Sequence, residues 1–167
     1  GYADNVVVKF IIFKRDYSNT VFRASDHTIK KVLDNFVKEV VNQYIVYNNY
    51  AYIIKYLNYI VRTPKIITFG VYKDNNFPMN TVLFIIMERI RGKTLNYIEN
   101  TGTNIDNRLY KAISYGSEVL NNDSIFHNDL NKNNILIDKL NNIYLIDWGE
   151  STIEKNTDRY MYNHKLI

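Results

Sequence analysis

The sequence predicts an α+β fold, and three patterns support this prediction. The run VVVKFIIF at Val6–Phe13 consists mostly of β-branched and aromatic residues, which predicts a strand. Apolar residues recur at helical spacing over residues 28–48, which predicts a long helix. Short apolar runs surround a loop rich in acid and amide side chains within residues 125–150. A chain of 167 residues has room for one domain or for two small lobes around a cleft.

The first half of the chain is divided by turn and helix-breaking residues. We expect a polar loop over residues 14–26, between the first strand and the long helix. A second helix is predicted over residues 50–61, before Pro64 breaks the pattern. Two strands are predicted next, joined by a turn over residues 74–78, and they cover residues 66–72 and 81–87.

The second half of the chain begins after a link marked by Gly92. A helix is predicted over residues 105–120, because its apolar residues again follow helical spacing. Three short apolar runs then predict strands around the acidic loop, at residues 125–126, 135–137 and 143–146.

Composition excludes several classes of protein. Hydrophobic residues make up 46% and charged residues 23% of the chain, which is typical of globular proteins. No apolar run approaches the length of a membrane span, and the first residues lack the features of a signal peptide. The absence of an initiating Met suggests an excised domain. Cysteine is absent, which excludes disulfides, and the net charge of +4 without a dense Lys/Arg block predicts no specific nucleic-acid binding.

The acidic loop carries side chains suited to phosphoryl transfer. That reaction depends on in-line positioning and on neutralising the triphosphate charge, more than on covalent chemistry. Asp129 is the candidate to accept or orient the proton of an attacking hydroxyl. Magnesium prefers oxygen ligands and keeps several waters, so Asn134 and Asp147 would suffice as its protein ligands. We take His127 as a structural residue and not as a general base.

A cation must also hold the α- and β-phosphates, and an acid must hold that cation in place. Lys9, in the first predicted strand, is the best candidate for the cation, with Lys14 as the alternative. Glu39, inside the long predicted helix, is the best candidate for the acid. The competing interpretations are an ordinary strand lysine with its ammonium group in water and a solvated helix carboxylate.

The loop motifs resemble those of the eukaryotic-like protein kinase superfamily. HNDL at residues 127–130, followed by Asn134, is similar to the catalytic loop H-R-D-L-x-x-x-x-N. DWG at residues 147–149 is similar to D-F-G, and VVVK at residues 6–9 is similar to V-A-I-K. The resemblance covers about residues 5–150, and the composition is similar to that of kinases of large DNA viruses.

Two further segments resemble the small lobe of that family. FVKE at residues 36–39 places Glu39 where the family has its αC glutamate. MERI at residues 87–90, followed by a glycine, resembles the gatekeeper and hinge, with Met87 as the gatekeeper. The resemblance implies that the backbones of Glu88 and Ile90 bond adenine and that the ring lies between two apolar side chains, Val7 and Leu136.

The resemblance implies a protein-kinase-like two-lobe fold. Residues 1–90 would form an N-lobe with an antiparallel sheet and the αC helix, and residues 91–167 a truncated, mainly helical C-lobe. ATP and Mg²⁺ are the implied cofactors, and Lys9, Glu39 and Asp129 the implied catalytic residues. The implied partner is a protein substrate with a Ser or Thr hydroxyl, and the implied location is the cytoplasm, that of a host cell if the chain is viral.

Departures from the family leave two other functions open. Only eight residues precede Lys9, so no Gly-rich loop is evident, and no A-P-E motif follows Asp147. Asn128 replaces the usual Arg, so control by activation-loop phosphorylation is not expected. Asn131 occupies the position of the family's Lys, and Lys132 comes one residue later. The alternatives are a small-molecule kinase similar to aminoglycoside or choline phosphotransferases and a catalytically weak pseudokinase that binds a partner.

Overall fold

A computed structural model of the protein describes residues 5–13, 26–50, 54–73 and 81–154. The described elements include both strands and helices, with runs of consecutive strands, and confirm the predicted α+β class. In chain order they are β1 (Val6–Phe13), α1 (Asp26–Tyr50), β2 (Lys55–Tyr56), β3 (Tyr59–Arg62), β4 (Ile66–Lys73), β5 (Thr81–Glu88), β6 (Gly92–Thr94), α2 (Leu95–Asn100), α3 (Asn107–Asn122), β7 (Ile125–Phe126), β8 (Ile135–Asp138), β9 (Asn142–Leu145), a 3₁₀ turn (Trp148–Glu150) and β10 (Thr152–Ile153).

Most of the predicted elements are confirmed with small shifts at their ends. The first strand has its predicted bounds, and the long helix α1 extends slightly beyond both predicted ends. Strands β4 and β5, helix α3 and the short strands β7, β8 and β9 also form where the sequence predicted them. The predicted turn over residues 74–78 and most of the predicted loop over residues 14–26 lie outside the described residues.

The predicted helix over residues 50–61 is wrong. The chain there forms the hairpin β2–β3, and Leu57 at its turn adopts a left-handed backbone with φ of 55°. Strand β3 then pairs in parallel with β9, with Val61 opposite Ile143. A short apolar run does not distinguish a buried strand from a helix segment by periodicity alone, so the distant partner strand decided the outcome.

The first sheet holds three antiparallel strands in the order β1-β5-β4. Its buried face packs on the first half of α1, where a small core forms from Phe36, Val40, Leu83 and Ile85. Alternate residues of a strand point to one face, so Lys9 lies on the same face of β1 as Ile11, which packs against this core. The packing of α1 against this sheet therefore brings the lysine and the helix together.

The second sheet is mixed, with the order β2-β3-β9-β8-β6, and it was not predicted. Its core is the larger one and includes Trp148, Ile125, Ile143 and residues of helix α3. Val46 and Tyr50, from the second half of α1, belong to this core as well, so α1 contacts both cores. The division into residues 1–90 and 91–167 stays a prediction.

Gly116 allows helix α3 to approach β3 closely. A Cβ atom at this glycine would lie 2.7 Å from Cγ1 of Val61, which is itself fully buried. That distance is shorter than side-chain carbons tolerate, so the missing side chain sets the spacing of helix and sheet. In the described ranges, no helix combines the length and apolar character needed to cross a membrane.

Candidate active site

Lys9 joins two carboxylates that come from distant parts of the chain. Its Nζ donates to both carboxylate oxygens of Glu39 at 2.8 Å and to Oδ1 of Asp147 at 2.7 Å. Glu39 is 3% exposed, whereas the side chains of Lys9 and Asp147 are 37% and 48% exposed. Three predicted site residues therefore meet at one point, and neither the lysine nor the glutamate is free in solvent. Lys14, the alternative cation, lies outside the described residues.

Burial and pairing act in opposite directions on this cluster. Burial opposes the charge of Lys9, but hydrogen bonds to Asp147 and Glu39 and their charges outweigh it, so the pKa of Lys9 is raised. The pKa of Glu39 is also raised, because its burial outweighs the stabilising bond from Lys9 and the charge of Asp147 adds repulsion. Glu39 is therefore the member of the cluster that depends most on a cationic partner.

Two amide side chains orient the carboxylate of Asp129. Asn134 Nδ2 donates to Oδ2 of Asp129 at 2.8 Å and to its carbonyl at 2.9 Å. Asn131 Nδ2 donates to Oδ1 of Asp129 at 3.0 Å. Lys132, one residue beyond the position of the family's Lys, pairs with Glu99 instead of reaching this carboxylate. Amides thus surround Asp129 where the family pattern suggested a cation.

Asn134 and Asp147 fit the preferences of Mg²⁺. Because the nitrogen of Asn134 is committed to Asp129, its Oδ1 is the atom left to bind a cation. Asp147 offers a half-exposed carboxylate on the other side of the loop. Within the described ranges, no group of three or more His, Cys, Asp or Glu side chains is placed to hold a metal. One carboxylate and one amide oxygen are enough for Mg²⁺, which also takes water and phosphate oxygens.

The contacts of His127 fit the structural role that we predicted. Its Nε2 lies 3.0 Å from the carbonyl of Ile146, and its Nδ1 is buried without a partner among the described residues. A carbonyl only accepts, so Nε2 carries a proton in this bond. Burial lowers the pKa of His127, although the bond to Ile146 and the charges of Asp129 and Asp147 act in the opposite direction.

Trp148 fixes the backbone next to Asp147. Its side chain is fully buried, and its Nε1 donates to Oγ1 of Thr63 at 3.0 Å and to the carbonyl of Leu145 at 3.1 Å. Its ring also packs on His127, with the two ring centroids 4.5 Å apart. Asp147 itself adopts a left-handed backbone with φ of 65°, which is uncommon for residues other than glycine. The surrounding contacts hold Asp147 in this strained conformation.

The predicted adenine contacts lie where the two sheets connect. Val7 is paired with Met87 across β1 and β5, and Ile90 lies in the link before β6. Leu136 lies on β8 of the second sheet. The backbone N–H of Glu88 donates to the carbonyl of Lys65 at 2.8 Å, so only its carbonyl could serve adenine. The adenine-binding roles of these residues stay predictions.

Two cavities border the site. One, of about 340 Å³, is lined on its polar side by Lys9, Glu39, Asp129 and Asp147. The other, of about 460 Å³, is lined by Glu88 and Ile90 among others. Three predicted acids and the predicted cation therefore line the first cavity together. They come from β1, α1 and two loops.

Sequence reasoning missed the polar residues that surround this cluster. Asn35 and Asn42 of α1, together with Thr63 and Ser151, bond the segment around Trp148. One signal was available, since residues 35, 39 and 42 share one face of a helix. The bonding partners of these side chains are far away in sequence, so the neighbouring residues give no indication of which partners they bond.

The model of the protein kinase domain family matches residues 18–165. A probable serine/threonine-protein kinase of Dictyostelium discoideum is 26% identical over 87 residues, which cover 52% of this chain but only 12% of that protein.

Solved structures show the same fold. The crystal structure of monomeric WbdD has a TM-score of 0.59 and 14% identity, and the match covers 95% of this chain and 33% of WbdD. A structure of the bifunctional kinase-methyltransferase WbdD gives the same TM-score with 16% identity and 31% coverage of that chain. The chain thus spans about a third or less of the proteins it matches. The match to the family model extends over most of the chain, which therefore belongs to the protein kinase domain family.

Proposed function

We propose that this chain is an ATP-dependent protein serine/threonine kinase, which transfers the γ-phosphate of ATP to a Ser or Thr hydroxyl. The observation that carries the proposal is the ammonium group of Lys9 held between buried Glu39 and Asp147. Membership of the kinase family supports ATP and a divalent cation as cofactors. The name of the Dictyostelium relative supports a protein acceptor.

Each polar residue of the site has a part in this reaction. Lys9 would exchange its bond to Asp147 for oxygens of the α- and β-phosphates, while Glu39 keeps its ammonium group in place. Asp147 and Oδ1 of Asn134 would hold Mg²⁺, which neutralises phosphate charge when bound. Asp129 would accept the proton of the attacking hydroxyl, with its carboxylate oriented by amides on both oxygens.

Thermal shift with ATP, measured with Mg²⁺ and with EDTA, tests the metal-binding role of Asp147. Ligand binding stabilises the folded state by about 2.7 kcal/mol when the ligand is at 100 times its Kd. We expect Asp147→Ala to abolish the magnesium-dependent part of this stabilisation. We expect Asp129→Ala to keep the magnesium-dependent stabilisation and to reduce phosphate transfer by at least about a hundredfold, because proton acceptance contributes that much.

The choice of acceptors separates the proposal from its alternatives. Transfer is measured to the chain itself, to generic Ser/Thr proteins and to small alcohols such as choline and an aminoglycoside. Transfer to small alcohols alone would contradict the protein substrate and support a small-molecule kinase. If millimolar ATP did not stabilise the chain, the proposed kinase activity would be contradicted and a pseudokinase would be supported. The cytoplasmic location and the absence of nucleic-acid binding stay predictions.

A further inference from the structure

The segment that follows Asp147, residues 148–152, is held on one side by helix α1. Asn42 Nδ2 donates to Oγ of Ser151 at 2.8 Å and lies 3.3 Å from the Ser151 carbonyl. Asn35 Nδ2, two turns earlier on the helix, donates to Oε1 of Glu150 at 2.9 Å. Two amides of one helix therefore bond two neighbouring residues of the segment.

The same segment is held on its other sides by the catalytic loop and by Thr63. Asn128 Nδ2 donates to the carbonyl of Glu150 at 3.0 Å and to Oγ1 of Thr152 at 3.1 Å. The indole N–H of Trp148 donates to Thr63, and Oγ of Ser151 donates back to the carbonyl of Trp148. Asn128 adopts a left-handed backbone with φ of 63°, which Asn tolerates better than most residues.

The contact between Asn42 and Ser151 lies in the interior and on the catalytic face of α1. Asn42 is 7% exposed and Ser151 is fully buried. Asn35, Glu39 and Asn42 follow i, i+4, i+7 spacing, so they share one face of the helix. Because Glu39 and Asn42 lie within one turn of the same helix, we expect a movement of α1 that separates Glu39 from Lys9 to break the bond between Asn42 and Ser151 as well. That movement would leave buried polar groups without partners, which is costly.

We propose that Asn42 and Ser151 are positioning residues that couple α1 to the segment after Asp147, so that Glu39 and Asp147 reach Lys9 together. This proposal rests on the phosphotransferase function proposed above. The donors from α1 and the catalytic loop that hold the segment are neutral amides, namely Asn35, Asn42 and Asn128.

The chain contains a natural reporter for this coupling. Trp148 is its single tryptophan, it is fully buried, and it lies in the segment under test. Its fluorescence maximum and its quenching by acrylamide therefore report the position of the segment directly. This readout needs no nucleotide and no activity.

Asn42→Leu is the test variant, because it keeps the size of the side chain and removes the amide. Asn142→Leu is a matched control, since Asn142 is also 7% exposed and donates Nδ2 to Oδ2 of Asp138 at 2.7 Å, at the start of β9. Both variants remove one buried side-chain amide and its bonds, but of the two amides only that of Asn42 touches the segment.

We expect Asn42→Leu to shift the Trp148 emission to longer wavelength and to increase its quenching, well below the melting temperature. Turnover at saturating ATP should fall about tenfold, because the free energy of one buried hydrogen bond corresponds to about that factor in rate. The magnesium-dependent part of the stabilisation by ATP should also decrease. Asn142→Leu should lower the melting temperature and leave both fluorescence and turnover unchanged.

Equal quenching and equal turnover in the two variants would overturn the proposal. If Asn42→Leu does not fold, Ser151→Ala removes the hydroxyl that accepts from Asn42, together with its bond to the Trp148 carbonyl, with little change in volume, and it is measured in the same way. If the unchanged protein neither binds Mg²⁺-ATP nor transfers phosphate, the proposed function fails. In that case the fluorescence of Trp148 still decides whether Asn42 holds the segment.

Discussion

At the scale of single residues, His127 shows how burial assigns a role. Its neighbours Asp129 and Asp147 are acidic and favour the charged ring, yet burial dominates and lowers its pKa. The neutral ring bonds the backbone at Ile146 and packs on Trp148. These contacts support the position of the candidate metal ligand Asp147, and the structural role of His127 stays a prediction.

This assignment predicts a pH dependence of stability. The unfolded chain protonates His127 near its ordinary pKa of 6.5, whereas the folded chain resists protonation. The unfolded state therefore binds more protons in acid, and the stabilisation present above pH 6.5 is lost as the pH falls towards the lower folded pKa.

His127→Gln removes the titration and keeps an amide donor for the carbonyl of Ile146. As the pH is lowered from about 7.5 to about 5.5, we expect the free energy of unfolding to fall more for the unchanged chain than for His127→Gln. The difference between the two slopes should be at most about 1.4 kcal/mol per pH unit. Urea unfolding at several pH values measures this difference. Glu39, whose pKa shift has the opposite effect, is common to both chains. Parallel curves for the two chains would contradict a buried neutral His127.

At the scale of elements, helix α1 and the contact between α3 and β3 determine the site. Helix α1 presents Glu39 to Lys9 and continues into the second core through Val46 and Tyr50. Strand β3 carries Val61 against α3 and ends just before Thr63, which bonds the indole of Trp148. The distance between α3 and β3 therefore influences the position of the segment around Trp148.

Gly116→Ala should destabilise the protein although alanine is the better helix former. The added methyl group would overlap Val61, whose branched side chain is buried and has no space to turn. We expect a loss of about 1–3 kcal/mol in the free energy of unfolding, typical of an overpacked core. Ser114→Ala, at an exposed position of the same helix, should change stability by less than about 0.5 kcal/mol. Denaturant unfolding compares the two, and equal stability would contradict the close packing.

At the scale of the whole molecule, Lys9 connects elements of both halves of the chain. It bridges Glu39 of α1 and Asp147 next to the second sheet, 138 residues away in sequence. Because Glu39 is buried and its pKa is already raised, the loss of its cation would leave an unpaired charge in the interior. Stability and the proposed catalysis would therefore depend on the same ammonium group.

Lys9→Met should destabilise the chain more at neutral than at acid pH, since Glu39 can become neutral in acid. The expected cost lies below the about 3–5 kcal/mol of a fully buried pair, because the side chain of Lys9 is 37% exposed. In Lys9→Met/Glu39→Leu we expect most of the stability to return but no stabilisation by Mg²⁺-ATP. Urea unfolding and thermal shift check both statements, and a cost independent of pH would contradict the unpaired-charge explanation.

Local patterns determined a large part of this protein. Apolar residues at helical spacing located α1 and α3, because burial on one face is recorded in that spacing, and runs of strand-forming residues located β1, β4 and β5. Asp129, Asn134 and Asp147 lie within twenty residues, so their loop and spacing indicated a kinase-like site directly. Lys9 and Glu39 were chosen as the best cation and the best acid in two predicted elements, and the resemblance to the family supported both choices.

Tertiary structure alone decided the contacts between distant residues. The parallel pairing of β3 with β9 turned a predicted helix into a hairpin, because the partner strand lies about eighty residues away. The bonds from Asn42 to Ser151 and from Trp148 to Thr63 likewise join residues 109 and 85 positions apart. A buried amide or hydroxyl meets its partner only when the elements pack. The sequence therefore predicted the candidate site residues, whereas the tertiary structure determined which side chains position them.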